Sequence, residues 1–261
     1  MKIKTFVINL KESDDRRKYV MAETAKYPCL DVELVNAVYG KKLSVEETEC
    51  LFDCKQFKRR NLRDPMLTEI GCTLSHRECY RRLLMSKEKC ALILEDDVCF
   101  LDSTHMELVL SEVVKRIAKE KDACIVTLAR HSHYYPHTLY EVDNYSLYRI
   151  WRAFSTCAYL INRQAAHILL ATPKASIFAD DYEYMNERGI LVEGIYPTFV
   201  VGKSDNGEIE SEVASASEYP VDSIDSPLID RFCYLLRNRK RSLLRVIGVL
   251  RLRKTEKGVN L

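Results

Sequence analysis

The chain has 261 residues, 47% hydrophobic and 30% charged, with a net charge of +2. That is the make-up of a globular protein with ample core material, and it excludes a disordered or fibrous chain. No apolar run approaches the ~20 residues of a membrane span. The start MKIKTFVINL lacks a signal-peptide cleavage site, so the expected location is the cytoplasm. Ten scattered cysteines without a CxxC pair or a second Cys/His pair at zinc spacing speak against a disulfide framework and a zinc site.

The elements follow in chain order. Ile3–Leu10 is β-rich and apolar, a strand. KESDDRRKYVMAETAKY follows as a helix, with Ser13 as N-cap and Asp14 and Asp15 in its first turn. Val32–Val38 is a second strand. Leu43–Asp53 is helical, with Ser44 and Glu47 spaced for a capping box. Phe57–Thr68 is polar and basic, and is expected to be a loop. Thr73–Ser86 is a helix, with Ser75 and His76 near its start behind Gly71 and Cys72. Ala91–Leu94 is a short buried strand, His105–Lys121 a helix and Ala123–Leu128 a strand. A Tyr- and His-rich stretch, ARHSHYYPHTLY, reads as a loop facing an acceptor rather than as a metal site. Strands at Tyr145–Trp151 and Ser155–Ile161 precede helices at Arg163–Leu170 and Asp180–Arg188, the latter ending at Gly189. Ile190–Val201 has strand character, and Arg231–Arg253 is a basic helix. Strands alternating with helices predict an α/β sheet, mostly parallel at first.

The chemistry concentrates in ALILEDDVCF. Its apolar run is that of a strand covered on both faces, and it ends in Glu95, Asp96 and Asp97. Ligands of open α/β sheets bind at the carboxyl ends of strands. Adjacent carboxylates repel one another unless a cation intervenes. Hard oxygen ligands suit Mg²⁺ or Mn²⁺ carrying substrate phosphates. If the strand stays extended, alternation puts Glu95 and Asp97 on one side and Asp96 on the other.

Three ordered motifs, VINLKESDDRR, GCTLSHRECYRRLL and ILEDDV, together with STCAYLINRQAAHILL, resemble glycosyltransferase family 25, the bacterial lipooligosaccharide galactosyltransferases and their relatives. The likeness covers about residues 1–200. It implies a GT-A-like (Rossmann-like), mostly parallel sheet flanked by helices, a UDP-sugar donor, and Mn²⁺ (or Mg²⁺) near Glu95–Asp97. Glu95 and Asp97 are the expected metal ligands, with Glu95 and Asp96 also at the nucleotide-sugar. Asn9 is expected at the base or ribose, Arg16 or Arg17 at the diphosphate, and Ser75 and His76 at donor sugar or phosphate. The resemblance further implies inversion to a β-linkage, which needs a general base for the acceptor hydroxyl. Where the family pattern resembles Pro-Val-Asp, this chain has Phe-Ala-Asp-Asp. Asp181 is the first choice for that base and Asp180 the second, with helix N-capping as the alternative role for either.

Charge is unevenly spread. Residues 231–261 hold ten Lys/Arg against Glu256 alone, leaving 30 basic and 37 acidic residues in 1–230. Apolar side chains fall largely on one face of this tail, a composition for anionic membrane rather than nucleic acid, with packing of that face on the protein's own body as a third reading. The expected organisation is a catalytic domain over 1–202, a polar linker or loop over 203–230 and a basic amphipathic segment over 231–261. The expected reaction moves a hexose, foremost galactose from UDP-galactose, to a sugar hydroxyl of a lipid-linked oligosaccharide. The enzyme would sit peripherally on the inner face of the cytoplasmic membrane through residues 231–253. Rival readings are a nucleotidyltransferase, disfavoured by the lack of a Gly-rich phosphate loop, and a non-catalytic membrane adaptor. Nothing in the sequence speaks to oligomeric state.

Overall fold

The computed structural model describes residues 1–153, 155–204 and 226–252. A nine-stranded mixed sheet forms its centre, in the order β11-β6-β7-β9-β5-β8-β3-β1-β2. The chain begins with β1 (Ile3–Asn9), α1 (Asp14–Ala25) and β2 (Leu30–Asn36). A 3-10 turn at Gly40–Lys42 leads to α2 (Val45–Leu51), α3 (Cys54–Asn61), α4 (Leu67–Met85) and β3 (Cys90–Glu95). β1 pairs in parallel with both β2 and β3. The chain therefore leaves β1 for one side and returns to the other, which opens a crevice at the carboxyl ends of β1 and β3.

The rest of the sheet is built differently. β5 (Cys124–Thr127) and β9 (Leu191–Tyr196) are parallel, and β8 (Ala158–Asn162) runs antiparallel between β5 and β3. β6 (His131–Val142) and β7 (Tyr145–Ala153) form a long bulged hairpin against β9. β4 (Val98–Phe100) and β10 (Val200–Gly202) make a separate two-stranded sheet. Helices cover both faces. Val7, Leu92, Leu94 and Val126 face Val20 of α1 and Val109, Leu110 and Val113 of α5 (Met106–Ile117). Phe6, Ile93, Ile125 and Ile161 face Leu83 of α4, Leu169 of α6 (Arg163–Leu170) and Met185 of α7 (Tyr182–Glu187).

Several local expectations meet their physical cause. Ser44 and Glu47 form the reciprocal capping box of α2. Gly189 takes φ +81° just past α7, the left-handed geometry of a C-cap. Others change. The 57–68 stretch is not all loop: α3 is capped by Asp53, whose carboxylate accepts from Gln56 N, and Phe57 is fully buried against Phe52 and Phe178. The Tyr/His stretch is strand, because β7 pairs with it along its length. α4 begins six residues earlier than predicted, so Gly71 lies inside it.

Helix α8 (Leu228–Val246) starts three residues ahead of the predicted Arg231 and stops short of Arg253, giving way to β11 (Arg251–Leu252) on the edge of β6. Residues 205–225 of the expected linker and 253–261 of the tail lie outside the described residues. Among the described residues, no helix is long and apolar enough to cross a membrane.

Gly71 matters because backbone lies against it. A Cβ there would stand 2.6 Å from Val38 O and from Gly40 N, and one on Gly40 would stand 1.7 Å from Leu67 O. The 37–41 segment thus rests directly on α4. Gly71→Ala is expected to cost about 1–3 kcal/mol through overpacking. Equilibrium denaturation measures this, and an unchanged midpoint would show that the contact can relax.

Candidate active site

The crevice at β1 and β3 is a cavity of about 530 Å³. Asn9, Arg16, Ser75, His76 and Glu95–Asp97 all line it, so the structure gathers most of the sequence candidates in one place. Extension does not persist through the carboxylates. β3 stops at Glu95, and Asp96 and Asp97 form a turn before β4. Strand alternation therefore does not set their directions.

Each carboxylate has its own partners. Thr156 Oγ1 donates to Glu95 Oε1 at 2.5 Å, and His76 Nε2 stands 3.3 Å from the same oxygen. His76 Nδ1 is 2.8 Å from the Tyr159 hydroxyl, which is 2.9 Å from that of Tyr80. Asn9 Nδ2 donates to Asp96 Oδ2 at 2.7 Å, and Arg16 Nε lies 3.2 Å from Asp96 Oδ1. Arg16 Nη2 also reaches Asp97 Oδ2 at 3.7 Å. Ser204 donates to that oxygen through its hydroxyl and through its backbone N–H at 3.1 Å. The other oxygen, Asp97 Oδ1, is buried with no partner among the described residues.

These surroundings set the charges. Burial works to raise the Glu95 carboxyl, but the His76 and Thr156 hydrogen bonds and the Arg16 charge hold it below its ordinary value. Burial pushes Asp96 up to about 6, against the pull of Arg16 and Asn9. Burial, then the charges of Glu95 and Asp180, push the Cys72 thiol up. The donor atoms of Cys72, His76 and Glu95 lie within 4.8 Å of one another. That set is softer than an Mn²⁺ or Mg²⁺ site prefers. The partnerless carboxylate oxygen of Asp97 is the hard donor that such an ion fits.

Two expected residues are elsewhere engaged. Arg17 pairs with Asp14 and donates to Lys11 O at 3.2 Å, away from the crevice. Ser75 lines the cavity, but its hydroxyl is spent on Gly71 O at 2.7 Å and Val38 N at 2.8 Å. The second carboxylate pair divides in two. Asp181 caps α7 by accepting from Tyr184 N at 2.9 Å, and it makes a two-pronged pair with Arg60 at 2.5 and 3.0 Å. Asp180 is half-buried, and burial followed by the Asp181 charge pushes it up to about 7, with Glu95 adding to the effect.

Sequence reasoning did not single out Thr156 and Tyr159, although both fall in STCAYLIN, a stretch the resemblance had marked. Arg60 and Ser204 carried no signal, because their partners lie 121 and 107 residues away.

A switch-point crevice lined by carboxylates and an arginine fits enzymes that handle nucleotide-linked substrates. Residues 2–184 match the model of glycosyltransferase family 25, described as an LPS biosynthesis protein, and the chain belongs to that family. The chain is 27% identical over 177 residues to the procollagen lysyl hydroxylase and glycosyltransferase of Acanthamoeba polyphaga mimivirus, covering 62% of this chain and 19% of that one. It is 34% identical over 101 residues to human procollagen galactosyltransferase 2, covering 36% of this chain and 16% of that one. The match thus spans less than a fifth of either relative. Among solved structures, apo UDP-glucose pyrophosphorylase gives TM-score 0.42 at 10% identity, covering 78% of this chain and 92% of that one. The inositol-1-phosphate CTP transferase of T. maritima gives 0.39 at 9% identity, covering 74% and 84%.

The raised Asp180 carboxyl has a consequence for stability. An Asp ordinarily titrates near 3.8 and here near 7, so the folded state holds the proton more tightly. Stability falls as pH rises between these values and is level above them. Asp180→Asn is therefore expected to melt higher than wild type at pH 8, by roughly 2–4 °C for each kcal/mol recovered. The gap should close toward pH 4. A pH-independent gap in melting temperature would refute the assignment.

Proposed function

We propose that this glycosyltransferase moves galactose from UDP-galactose to a hydroxyl of a lipooligosaccharide or lipopolysaccharide acceptor, with inversion to a β-linkage. The observation that carries this reading is the convergence of Asn9, Arg16, His76 and three differently partnered carboxylates on one crevice at the switch point. The galactosyltransferase named among the relatives supports the donor in this reading, and the family's description supports the acceptor.

In this mechanism Asp97, through the oxygen without a partner among the described residues, and Glu95 would hold Mn²⁺ or Mg²⁺. The ion, when bound, supplies positive charge to the departing diphosphate. Arg16 adds to that positive field from its place beside Asp96 and Asp97. Asn9 fixes Asp96, and Thr156 with the His76–Tyr159 pair fixes Glu95.

Asp180 takes the acceptor proton. Asp181 was the first choice from sequence, but its N-cap and Arg60 bonds use both of its oxygens. A carboxyl raised to about 7 is also matched to base catalysis near neutrality.

The enzyme works peripherally on the cytoplasmic membrane through α8. Phe232, Leu235, Leu236, Leu243 and Val246 are all more than half, or half, exposed (57, 53, 50, 59 and 84%). Arg239 and Arg245 are exposed on the same helix. An apolar outer face with cations beside it suits an anionic lipid surface.

UDP-galactose turnover should require Mn²⁺ or Mg²⁺, and full activity in chelator would remove the metal from the mechanism. Asp180→Asn should lower kcat by about 10²–10⁴-fold and abolish the fall in rate below pH 7. Asp181→Ala should instead lower stability by about 3–5 kcal/mol, as for breaking a buried pair. If the kinetic loss follows Asp181 with the fold intact, the base is reassigned. Co-sedimentation with phosphatidylglycerol vesicles should be lost in the double variant Leu235→Ser/Leu236→Ser; retained binding would exclude this face.

A further inference from the structure

Cys72 and His76 stand four residues apart on α4, so both side chains lie on one face of the helix, one turn apart. That face meets the carboxyl end of β3, which ends at Glu95. One donor atom from each of Cys72, His76 and Glu95 lies within 4.8 Å of the others. The chain holds ten cysteines, six histidines and 38 carboxylates. Among the described residues, this is the one group of three such donors drawn so close. All three line the crevice of about 530 Å³, so an ion reaches them from solvent.

The spacing suits a metal better than a plain hydrogen bond. His76 Nε2 is 3.3 Å from Glu95 Oε1. A charge-assisted bond between nitrogen and a carboxylate closes to about 2.7–2.9 Å. The edge of a tetrahedron with zinc–nitrogen and zinc–oxygen bonds of about 2.0 Å is roughly 3.3 Å. The Cys72 sulfur completes such a set with an approach of about 1 Å.

The supporting contacts are also those of a metal centre. His76 Nδ1 is 2.8 Å from the Tyr159 hydroxyl, and the Thr156 hydroxyl donates to Glu95 at 2.5 Å. Outer contacts of this kind fix the tautomer of a ligating imidazole and the direction of a ligating carboxylate. With its Nδ1 proton donated to Tyr159, His76 turns the lone pair of Nε2 toward Glu95. A lone pair and a carboxylate repel each other, and a cation between them removes the repulsion.

A thiolate, an imidazole and a carboxylate, with a fourth position open to the crevice, make the donor set of a zinc site rather than of a Mn²⁺ or Mg²⁺ site. The thiol proton leaves to water as the metal–sulfur bond forms. Sequence spacing of Cys/His pairs does not reveal this set, because its third ligand lies 19 residues past His76 and on a strand.

We propose that Cys72, His76 and Glu95 bind Zn²⁺, and that zinc there takes Glu95 from the ion it shares with Asp97, which stops the transfer. The site stands on its own geometry, whereas the inhibition rests on the transferase reading above. A given site binds zinc more tightly than manganese, so zinc prevails at Glu95 even with manganese in excess.

Co²⁺ alone is the probe, since it takes zinc's place and is coloured. The full chain titrated with Co²⁺ should develop the visible bands of a tetrahedral ion together with a thiolate charge-transfer band, and Zn²⁺ should bleach both. Cys72→Ser should remove the charge-transfer band. Tyr159→Phe should keep the band and weaken Zn²⁺ binding, read by calorimetry, by about 10–100-fold. Circular dichroism confirms the fold of each variant. No charge-transfer band in the wild type, or one that survives Cys72→Ser, would overturn the site.

UDP-galactose turnover with Mn²⁺ is measured on the same samples. The Zn²⁺ concentration that halves it should be at least about tenfold lower for wild type than for Cys72→Ser. Zinc bound through Cys72 with turnover untouched would refute the exclusion at Glu95. Zinc bound there without any turnover in its absence would leave the site standing and sink the transferase reading. Turnover without the Cys72-dependent band would do the reverse.

Discussion

Three carboxylates in sequence at the end of a buried strand cannot stay charged side by side without separate partners, and the half of the molecule around the crevice is arranged to supply them. Glu95 is given a hydroxyl and an imidazole, Asp96 an amide and a guanidinium, and Asp97 a serine together with the far side of the same guanidinium. The partners come from β1, α1, α4, the segment before β8 and the residues after β10. Bringing them together requires the parallel pairing of β1 with β3 and the reversal of direction at β1. The turn at Asp96 and Asp97 is part of the same solution, since an extended chain would send neighbouring carboxylates to opposite faces.

How far this was legible in the sequence depended on the range of the interactions. The β1 strand, the capping box of α2, the short apolar β3 and the carboxylate cluster are local patterns, and each is present in the structure. The α3 helix was missed because its cause is partly distant: Phe57 is buried by Phe178, far along the chain. The β6 strand was missed because a Tyr- and His-rich stretch becomes strand only when β7 lies beside it. Asp180 and Asp181 differ in their surroundings because of Arg60, whose pairing with Asp181 across 121 residues leaves no mark in spacing. Family likeness marked a set of residues that the structure brings to one crevice. It did not assign duties within it, because those depend on which oxygen is already spent.

The orientation of α8 is the clearest case of composition read correctly and geometry left open. Its apolar and basic faces were visible in the sequence. Which of them met the body was not. The polar stripe faces inward, where Arg237 and Arg241 approach Arg60 and Glu183, and Leu235, Leu236 and Leu243 face out. One helix can in this way address two environments at once, with surface contact on its outer side and charge placed near the later half of the sheet on its inner side.

The short strand β11 gives this arrangement a further role. Together with the sheet order, it makes the last described residues the cover of an edge, since among the described residues β6 has only β7 and β11 as neighbours. A chain ending ahead of Leu228 would shed the exposed leucines and, at the same time, bare part of a twelve-residue strand to pairing with other molecules. Removing the tail therefore exchanges one source of self-association for another, and the segment belongs to the colloidal behaviour of the folded body as much as to any surface it meets.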